Sequence, residues 1–350
     1  MQQTMKTKHK RISVFVSHLG CPHDCAYCNQ EKITGQKKSH YRSIDQIRNE
    51  IETQLSTICC EQNHVEIAFF GGSFTGLPQK YRQELLELAK QYTERYGLQG
   101  IRFSTRPDYI TKEILESLQP YPIVAIELGV QSLDPNVLSM SKRGHTLDDV
   151  YHAAKLLKES TYQWGIQVMT GLPGDTRNTA LETTRKVIEL APKFVRIYPT
   201  LVLENTELAA WYRQGTYRPW SLEETVDRVA EMLEMFYQSG IPVIRLGLQQ
   251  SEELNTDDAV LAGPHHPNIR QLIETQYFRN MLDTIGAERE SSAPGKQHVC
   301  IVIHPADETA VRGVNNQNIR YFTERYGLSL VLEKDLHQLQ KMIQYKFEPN

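Results

Sequence analysis

What this 350-residue chain has little of excludes several classes of protein. No stretch approaches the roughly 18 consecutive apolar residues that a membrane span requires. The basic opening M-Q-Q-T-M-K-T-K-H-K-R leads straight into a strand-like run rather than a signal-peptide core, so a cytoplasmic location is expected. Charge of one sign is also missing: 39 Lys and Arg stand against 42 Asp and Glu, a net −3 that gives no overall pull toward nucleic acid or anionic membrane. Any basic surface must be local. Residues 1–11 read as a flexible basic terminus, in which Lys6, Lys8, Lys10 and Arg11 are solvated or, alternatively, touch RNA phosphates. Cysteine is sparse as well. The six fall as a trio (Cys21, Cys25, Cys28), a vicinal pair (Cys59, Cys60) and a singleton (Cys300), which is no disulfide framework and suits a reducing compartment. Cys59 and Cys60, at the close of a helical pattern, and Cys300, in the run C-I-V-I, read as buried small hydrophobes.

The trio is the informative feature. In S-H-L-G-C-P-H-D-C-A-Y-C-N (residues 17–29) three thiols sit within eight residues just after a short apolar run, so one loop can turn all three toward one point. Thiolates are soft donors that select zinc or iron-sulfur clusters. His18 and His23 are close enough to complete a structural zinc site, and the cysteines alone leave that alternative open.

Six apolar or β-branched runs follow one another: I-S-V-F-V from Ile12, V-E-I-A-F-F from Val65, I-R-F-S-T from Ile101, I-V-A-I-E-L from Ile123, W-G-I-Q-V-M from Trp164 and F-V-R-I-Y-P from Phe194. Helical patterns near 43–58, 79–96, 111–118, 147–160 and 178–190 alternate with them, with start signals at Ser43 and Asp45, at Pro78, and at Thr146 with Asp149. Such alternation requires a parallel sheet. Six repeats predict an α/β fold, a partial (β/α)6 TIM-like barrel over residues 12–250, followed by a small C-terminal α/β cap domain over 251–350. In these folds chemistry gathers at the carboxyl ends of the strands. The Cys loop, Gly71-Gly72-Ser73-Phe74-Thr75, Ser104-Thr105-Arg106-Pro107-Asp108, the strand end from Glu127 to Gln131 and Ser132, and the segment from Met169 through Gly171 to Asp175 all fall at that end. Turns without function would be spread over both ends.

With Tyr27 just before the last cysteine, the spacing Cys-x3-Cys-x2-Cys resembles the signature loop of the radical S-adenosylmethionine (SAM) enzymes. That resemblance implies a 4Fe-4S cluster on Cys21, Cys25 and Cys28, with one iron left for S-adenosyl-L-methionine. It also implies an electron donor such as flavodoxin or ferredoxin. Gly71 and Gly72 would let backbone approach the methionine amino group, with Ser73 adding a hydroxyl, although the acidic residue common there in the family is absent. Tyr27 and Thr105 are counted with the cofactor-binding residues. Glu127 would accept from ribose hydroxyls beside Gln131, or else pair with an Arg or Lys of the barrel. Arg143 in S-K-R-G-H-T is a candidate clamp for the SAM carboxylate, or else a solvated helix-end charge. The segment from Met169 through Gly171 to Gly174 would wall the adenine. No catalytic residue beyond these is assigned.

Over about two thirds of the chain the resemblance narrows. S-T-R-P-D, E-L-G-V-Q-S, K-R-G-H-T, G-L-P-G-D-T, I-Y-P-T-L-V-L-E-N-T-E-L and G-T-Y-R-P-W-S-L-E-E-T-V are similar to the radical-SAM half of the Elongator catalytic subunit, and more loosely to anaerobic coproporphyrinogen oxidase relatives. The Elongator subunit spaces its cluster cysteines more widely. Its acetyltransferase half has no counterpart in the last 100 or so residues, which contain no glycine-rich acetyl-CoA loop. In that tail, A-G-P-H-H-P-N (262–268) reads as a loop before a helix, its His265 and His266 lying on the surface or meeting a phosphate or substrate. V-C-I-V-I-H-P and L-S-L-V-L-E read as strands, and 335–345 as a closing helix. Arg312, Asn315, Asn316 and Arg320 read as helix caps or RNA contacts. The resemblance implies a radical SAM enzyme with tRNA or another RNA base as substrate. Alternatives are a radical SAM oxidoreductase acting on a small metabolite or tetrapyrrole, and a non-catalytic metal-bearing RNA-binding protein.

Overall fold

The computed structural model describes residues 8–16, 20–21, 24–29, 41–60, 63–248, 259–292 and 298–348. Lys6, His18 and His23 lie outside them. Strands form where the six apolar runs stand: β1 (Lys8–Phe15), β2 (Asn63–Phe70), β3 (Gly100–Thr105), β4 (Ile123–Gln131), β5 (Gln163–Thr170) and β6 (Phe194–Pro199). After a short β7 (Val202–Leu203) comes a further sheet strand, β8 (Val243–Leu246). The main sheet is therefore seven-stranded, not six, in the order β1-β2-β3-β4-β5-β6-β8. Each neighbouring pair is parallel. With β1 and β8 as its two edges, it is a curled half-barrel. The seventh strand escapes a pattern reading because V-I-R-L offers only four residues and one full alternation.

The crossovers carry α1 (Ile44–Leu55), α2 (Gln79–Tyr96), α3 (Lys112–Leu118), α4 (Pro135–Met140), α5 (Leu147–Lys158), α6 (Arg177–Leu190), α7 (Glu207–Arg213) and α8 (Leu222–Gln238). Their starts are chemically marked. Ser43 with Gln46, Thr146 with Asp149, and Ser221 with Glu224 form reciprocal capping boxes, each cap stabilising its helix by about 1 kcal/mol.

Period-two alternation divides the sheet into two faces. Ile67 and Phe69, Ile101 and Phe103, Ile126 and Leu128, Ile166 and Val168, and Val195 and Ile197 are all fully buried and share one core with helix residues such as Ile47, Leu85, Val150, Val187 and Leu233. The alternate residues face the concave side and are polar or small: Glu66, Arg102, Glu127, Gly165, Gln167 and Arg196. Gly165 is small for a packing reason. A Cβ there would lie 2.1 Å from the Phe194 ring.

Three expectations are corrected. β1 starts at Lys8, ahead of the apolar run, so Lys10 and Arg11 belong to a strand and not to a frayed end, and Arg11 Nε lies 3.6 Å from Glu66. α1 stops at Leu55, capped at Ser56, so the chain turns outward before β2; Cys59 is exposed and Cys60 half-buried rather than core. Residues 343–348 form β12 (Ile343–Glu348), not the end of a helix. Leu336, Leu339 and Met342 mimic helical spacing, but Leu336 and Leu339 are 69% and 72% exposed, and the chain instead pairs antiparallel with the strand His298–Ile303.

That strand is β10, following the short β9 (Val260–Ala262) that pairs with β7. It lies between β11 (Ser329–Lys334) and β12. The long α9 (Ile269–Ser292) precedes it, and α10 (Glu308–Arg312) and α11 (Gln317–Tyr326) follow. Ile273, Phe278, Val299, Ile301 and Phe322 join the same core as the half-barrel, so the C-terminal layer is packed onto it. Among the described residues no helix is long and apolar enough to cross a membrane.

Candidate functional site

The Cys loop is fixed by backbone contacts. Gly20 has φ +72°, and a Cβ on it would lie 2.2 Å from the Ser73 carbonyl oxygen and 2.8 Å from the Gly76 carbonyl carbon. A Cβ on Gly76 would in turn lie 2.4 Å from the Gly20 oxygen. The loops after β1 and β2 therefore meet backbone to backbone, as only glycine permits. Further on, Cys28 N–H donates to Cys25 O at 2.9 Å, Ala26 N–H to Ser141 O at 3.1 Å, and Leu208 N–H to Ala26 O at 2.8 Å. These bonds hold the loop between the end of α4 and the start of α7. Cys25 is buried, and Cys21 and Cys28 are half-buried.

Arg143 reaches this loop from beyond α4. Its Nη1 lies 3.5 Å from Cys25 Sγ, its Nη2 donates to Gly129 O at 2.6 Å, and its buried Nε has no partner among the described residues. It is no solvated helix-end charge. Burial works against the cation, but the Tyr27 and Cys25 side chains more than offset this and hold it charged. Burial pushes the Cys21 thiol up, with Arg143 opposing. Burial and the adjacent Cys25 push the Tyr27 phenol up. Arg106, 2% exposed, is bound to Asp108 and donates to Arg143 O at 2.8 Å, bracing the segment. Beside them lies His145, 4% exposed with neither ring nitrogen hydrogen-bonded among the described residues, its pKa lowered to about 3 by burial, Arg143 and Arg106.

The other expected residues divide into two groups. Ser73 and Thr105 are fully buried and bond to each other: Ser73 Oγ to Thr105 Oγ1 at 2.9 Å, Thr75 Oγ1 to Thr105 Oγ1 at 2.5 Å, and Arg106 N–H to Ser73 Oγ at 3.2 Å. They tie the end of β2 to the end of β3. Glu127 is 0% exposed, and both its oxygens are occupied: Oε1 accepts from Arg102 at 3.2 Å and Arg196 at 2.8 Å, and Oε2 accepts from Gln167 at 2.8 Å. The network continues through Arg102 to Glu66, whose carboxyl Arg102 and Arg11 hold below its usual range against the opposing effect of burial.

Four other expected residues stand at the strand ends, outside these networks. Gly71 has φ +88° at the end of β2. Gln131, at the bulged end of β4, has φ +72°, a conformation unfavourable for a non-glycine residue, and its buried Oε1 has no partner among the described residues. Met169 is half-buried on the concave face of β5. Gly171 (φ +75°) donates its N–H to Asp175 at 2.7 Å, accepts from the Tyr217 hydroxyl, and would place a Cβ 3.3 Å from the Trp220 ring. Gly72 lies between Gly71 and Ser73. The structure thus brings Cys21, Cys25, Tyr27, Arg143, Gly129 and Gln131 together, and sets Gly171 against Tyr217 and Trp220 nearby. Tyr217 and Trp220 carry no spacing signal of their own.

Among the described residues no three Cys, His, Asp or Glu side chains are gathered as a metal centre. The donor set still fits an iron-sulfur group: three soft thiols on one braced loop, beside a buried cation and two unpartnered buried polar atoms.

Comparison with known proteins agrees with this geometry. Residues 15–187 match the model of the Radical SAM superfamily and residues 192–279 that of the Radical_SAM C-terminal domain. The chain belongs to the radical SAM superfamily. It is an enzyme of that class. A tRNA uridine(34) acetyltransferase of Methanocaldococcus infernus is 26% identical over 257 residues, 63% of this chain and 48% of the relative. Elongator complex protein 3 of Saccharomyces cerevisiae is 28% identical over 268 residues, 64% of this chain and 48% of that protein. The chain spans about half the length of these curated relatives. The solved structure of Methanocaldococcus infernus Elp3 superposes with a TM-score of 0.60 at 19% identity, covering 80% of this chain and 64% of that one, and so shares the fold.

Proposed function

We propose that this chain reductively cleaves S-adenosyl-L-methionine and uses the product radical to take a hydrogen atom from its substrate, an RNA base and specifically a tRNA base. The observation that carries the reading is the braced three-thiol loop at the carboxyl ends of a parallel half-barrel, with Arg143 set 3.5 Å from Cys25. Cys21, Cys25 and Cys28 would hold a 4Fe-4S cluster. When bound, that cluster would supply one electron, drawn from a ferredoxin- or flavodoxin-type donor, for reductive cleavage of the SAM sulfonium.

The rest falls to this chain's own residues. Arg143 offers its unpartnered Nε to the SAM carboxylate while its Nη1 stabilises negative charge on Cys25. Backbone at Gly71 and Gly72 admits the methionine amino group. Gln131 Oε1 accepts from a ribose hydroxyl. Met169 and Gly171, with Trp220 behind, form the apolar wall for adenine. Ser73, Thr105 and Glu127 act as positioning residues, because their hydrogen bonds hold strand ends in register. Residues 251–350 form the cap that selects the substrate in a cytoplasmic enzyme. The tRNA assignment is supported by the relatives that bear that name.

Anaerobic reconstitution with iron and sulfide, followed by dithionite and SAM, tests the chemistry. A brown protein that yields 5'-deoxyadenosine, and a Cys25→Ala variant that does not, is the expected result; a colourless protein holding one zinc refutes it. Mass spectrometry of tRNA nucleosides from a deletion strain tests the substrate.

A further inference from the structure

One cavity lies apart from the thiol loop. It has a volume of about 270 Å³ and opens where β8 ends, between the residues that follow β6 and the Gly-Pro-His-His-Pro loop ahead of α9. Pro199 and Leu201 form an apolar wall, and Arg245, Arg270, His265 and His266 supply the polar lining; among the described residues no carboxylate lines it.

Arg245 is the unusual member. Half-buried, it donates Nε–H to Gly247 O at 3.1 Å and has no carboxylate partner among the described residues. Burial and the nearby Arg196 and Arg270 push its pKa down, with Tyr198 opposing. The cationic surplus has a structural origin. Arg245 pairs in register with Arg196 on β6, and Arg196 already takes the Glu127 oxygen that Arg102 shares. Arg270 is tethered by Glu274 at 2.9 Å, which steadies its guanidinium at the rim. His266 Nδ1 accepts from Asn268 N–H at 3.1 Å, which leaves the proton of the neutral ring on Nε2 as a donor. Next to the wall, between Pro199 and Leu201, Thr200 is buried with its hydroxyl unpartnered among the described residues.

We infer that this cavity is a subsite for a phosphate group, filled in the working enzyme by a backbone phosphodiester of the RNA substrate. A guanidinium whose fork has no partner among the described residues, an imidazole N–H and the N-terminus of a 24-residue helix together match the tetrahedral oxygens of a phosphate. Parallel barrels commonly bind phosphate after their seventh and eighth strands, beside an added helix N-terminus. The cavity also meets a need raised by the sequence: with a net charge of −3, the chain can attract RNA only through a local cationic surface. The polynucleotide part of this inference rests on the RNA reading above; the phosphate part does not.

The test is fluorescence anisotropy of labelled tRNA bound to the full chain across a salt series, with Arg245→Gln, Arg245→Lys and the surface double variant His265→Ala/His266→Ala. Circular dichroism checks folding, and the loop variant keeps the test decisive should Arg245→Gln unfold. Arg245→Gln is expected to weaken binding about ten-fold and to reduce the slope of log affinity against log salt by about one, with Arg245→Lys recovering most of the slope. If the native chain binds no tRNA, but inorganic phosphate or a nucleoside monophosphate raises its melting temperature and not that of Arg245→Gln, the subsite stands and the RNA reading falls. Substitutions that change neither the salt slope nor the phosphate-induced shift overturn the subsite.

Discussion

Mild acid should destabilise this protein through one buried imidazole. His145 is 4% exposed; Arg143 and Arg106 face it as cations, Asp108 and Asp149 as acids, and neither ring nitrogen has a hydrogen-bond partner among the described residues. Burial and the two guanidinium groups lower its pKa to about 3, against 6.5 in an unfolded chain. Above 6.5 neither state binds the proton and the group costs nothing. Between 6.5 and 3 the unfolded chain takes a proton that the folded chain refuses, so stability falls as pH falls, by up to about 1.4 kcal/mol per pH unit. At pH 5 the loss is about 2 kcal/mol. Urea unfolding at pH 7.5, 6 and 5 under anaerobic conditions measures it, with His145→Leu as the comparison, since that side chain is similar in volume and cannot titrate. The native chain should lose about 2 kcal/mol more than His145→Leu over this range. Parallel losses in the two chains, or an imidazole that titrates above pH 5 in the folded protein by NMR, would refute the reasoning.

Replacing Glu127 with alanine leaves Arg102 and Arg196 buried without their shared carboxylate; a loss of about 3 to 5 kcal/mol is expected in thermal or urea unfolding, and a loss below about 1 kcal/mol would show the network to be relaxed. Gly20→Ala forces a Cβ to within 2.2 Å of the Ser73 oxygen at φ +72°, so the reconstituted variant should hold little iron per chain; full iron loading counts against the braced loop. Arg143→Ala should weaken SAM binding by about 10- to 100-fold, as the loss of a charge-assisted hydrogen bond does, and Arg143→Lys should recover only part because it cannot bridge two acceptors; an unchanged affinity removes Arg143 from the SAM site.

The half-barrel was legible because its outward residues are apolar at every second position and its helices carry caps: Ser43 and Thr146 mark helix starts that fall within a residue of expectation. The thiol trio was legible because its spacing is local. What depends on contacts between distant segments was not. Arg102, Glu127, Gln167 and Arg196 each look like a polar interruption of an apolar run, and only the hydrogen bonds that converge on Glu127 reveal them as one network. Those interruptions were the available signal. From sequence Glu127 reads as a ribose acceptor or as the partner of a barrel cation, and its oxygens lie on Arg102, Arg196 and Gln167. His145 has no signal of its own within S-K-R-G-H-T, because burial leaves no mark on a sequence. Residues 335–345 misled for the opposite reason: leucines at helical spacing occur there on an exposed turn.

Pairing within the charged network also keeps it from any ligand that enters the half-barrel. Glu127 stands four residues before Gln131 on β4, but the bulge leaves only three steps on β5, from Gly165 to Val168, so the two lie about 10 Å apart along the strand. Arg102, Arg196 and Gln167 occupy both Glu127 oxygens, while the atoms of Gln131 and Arg143 that lack a partner among the described residues stand nearer the strand ends, where an incoming group would meet them.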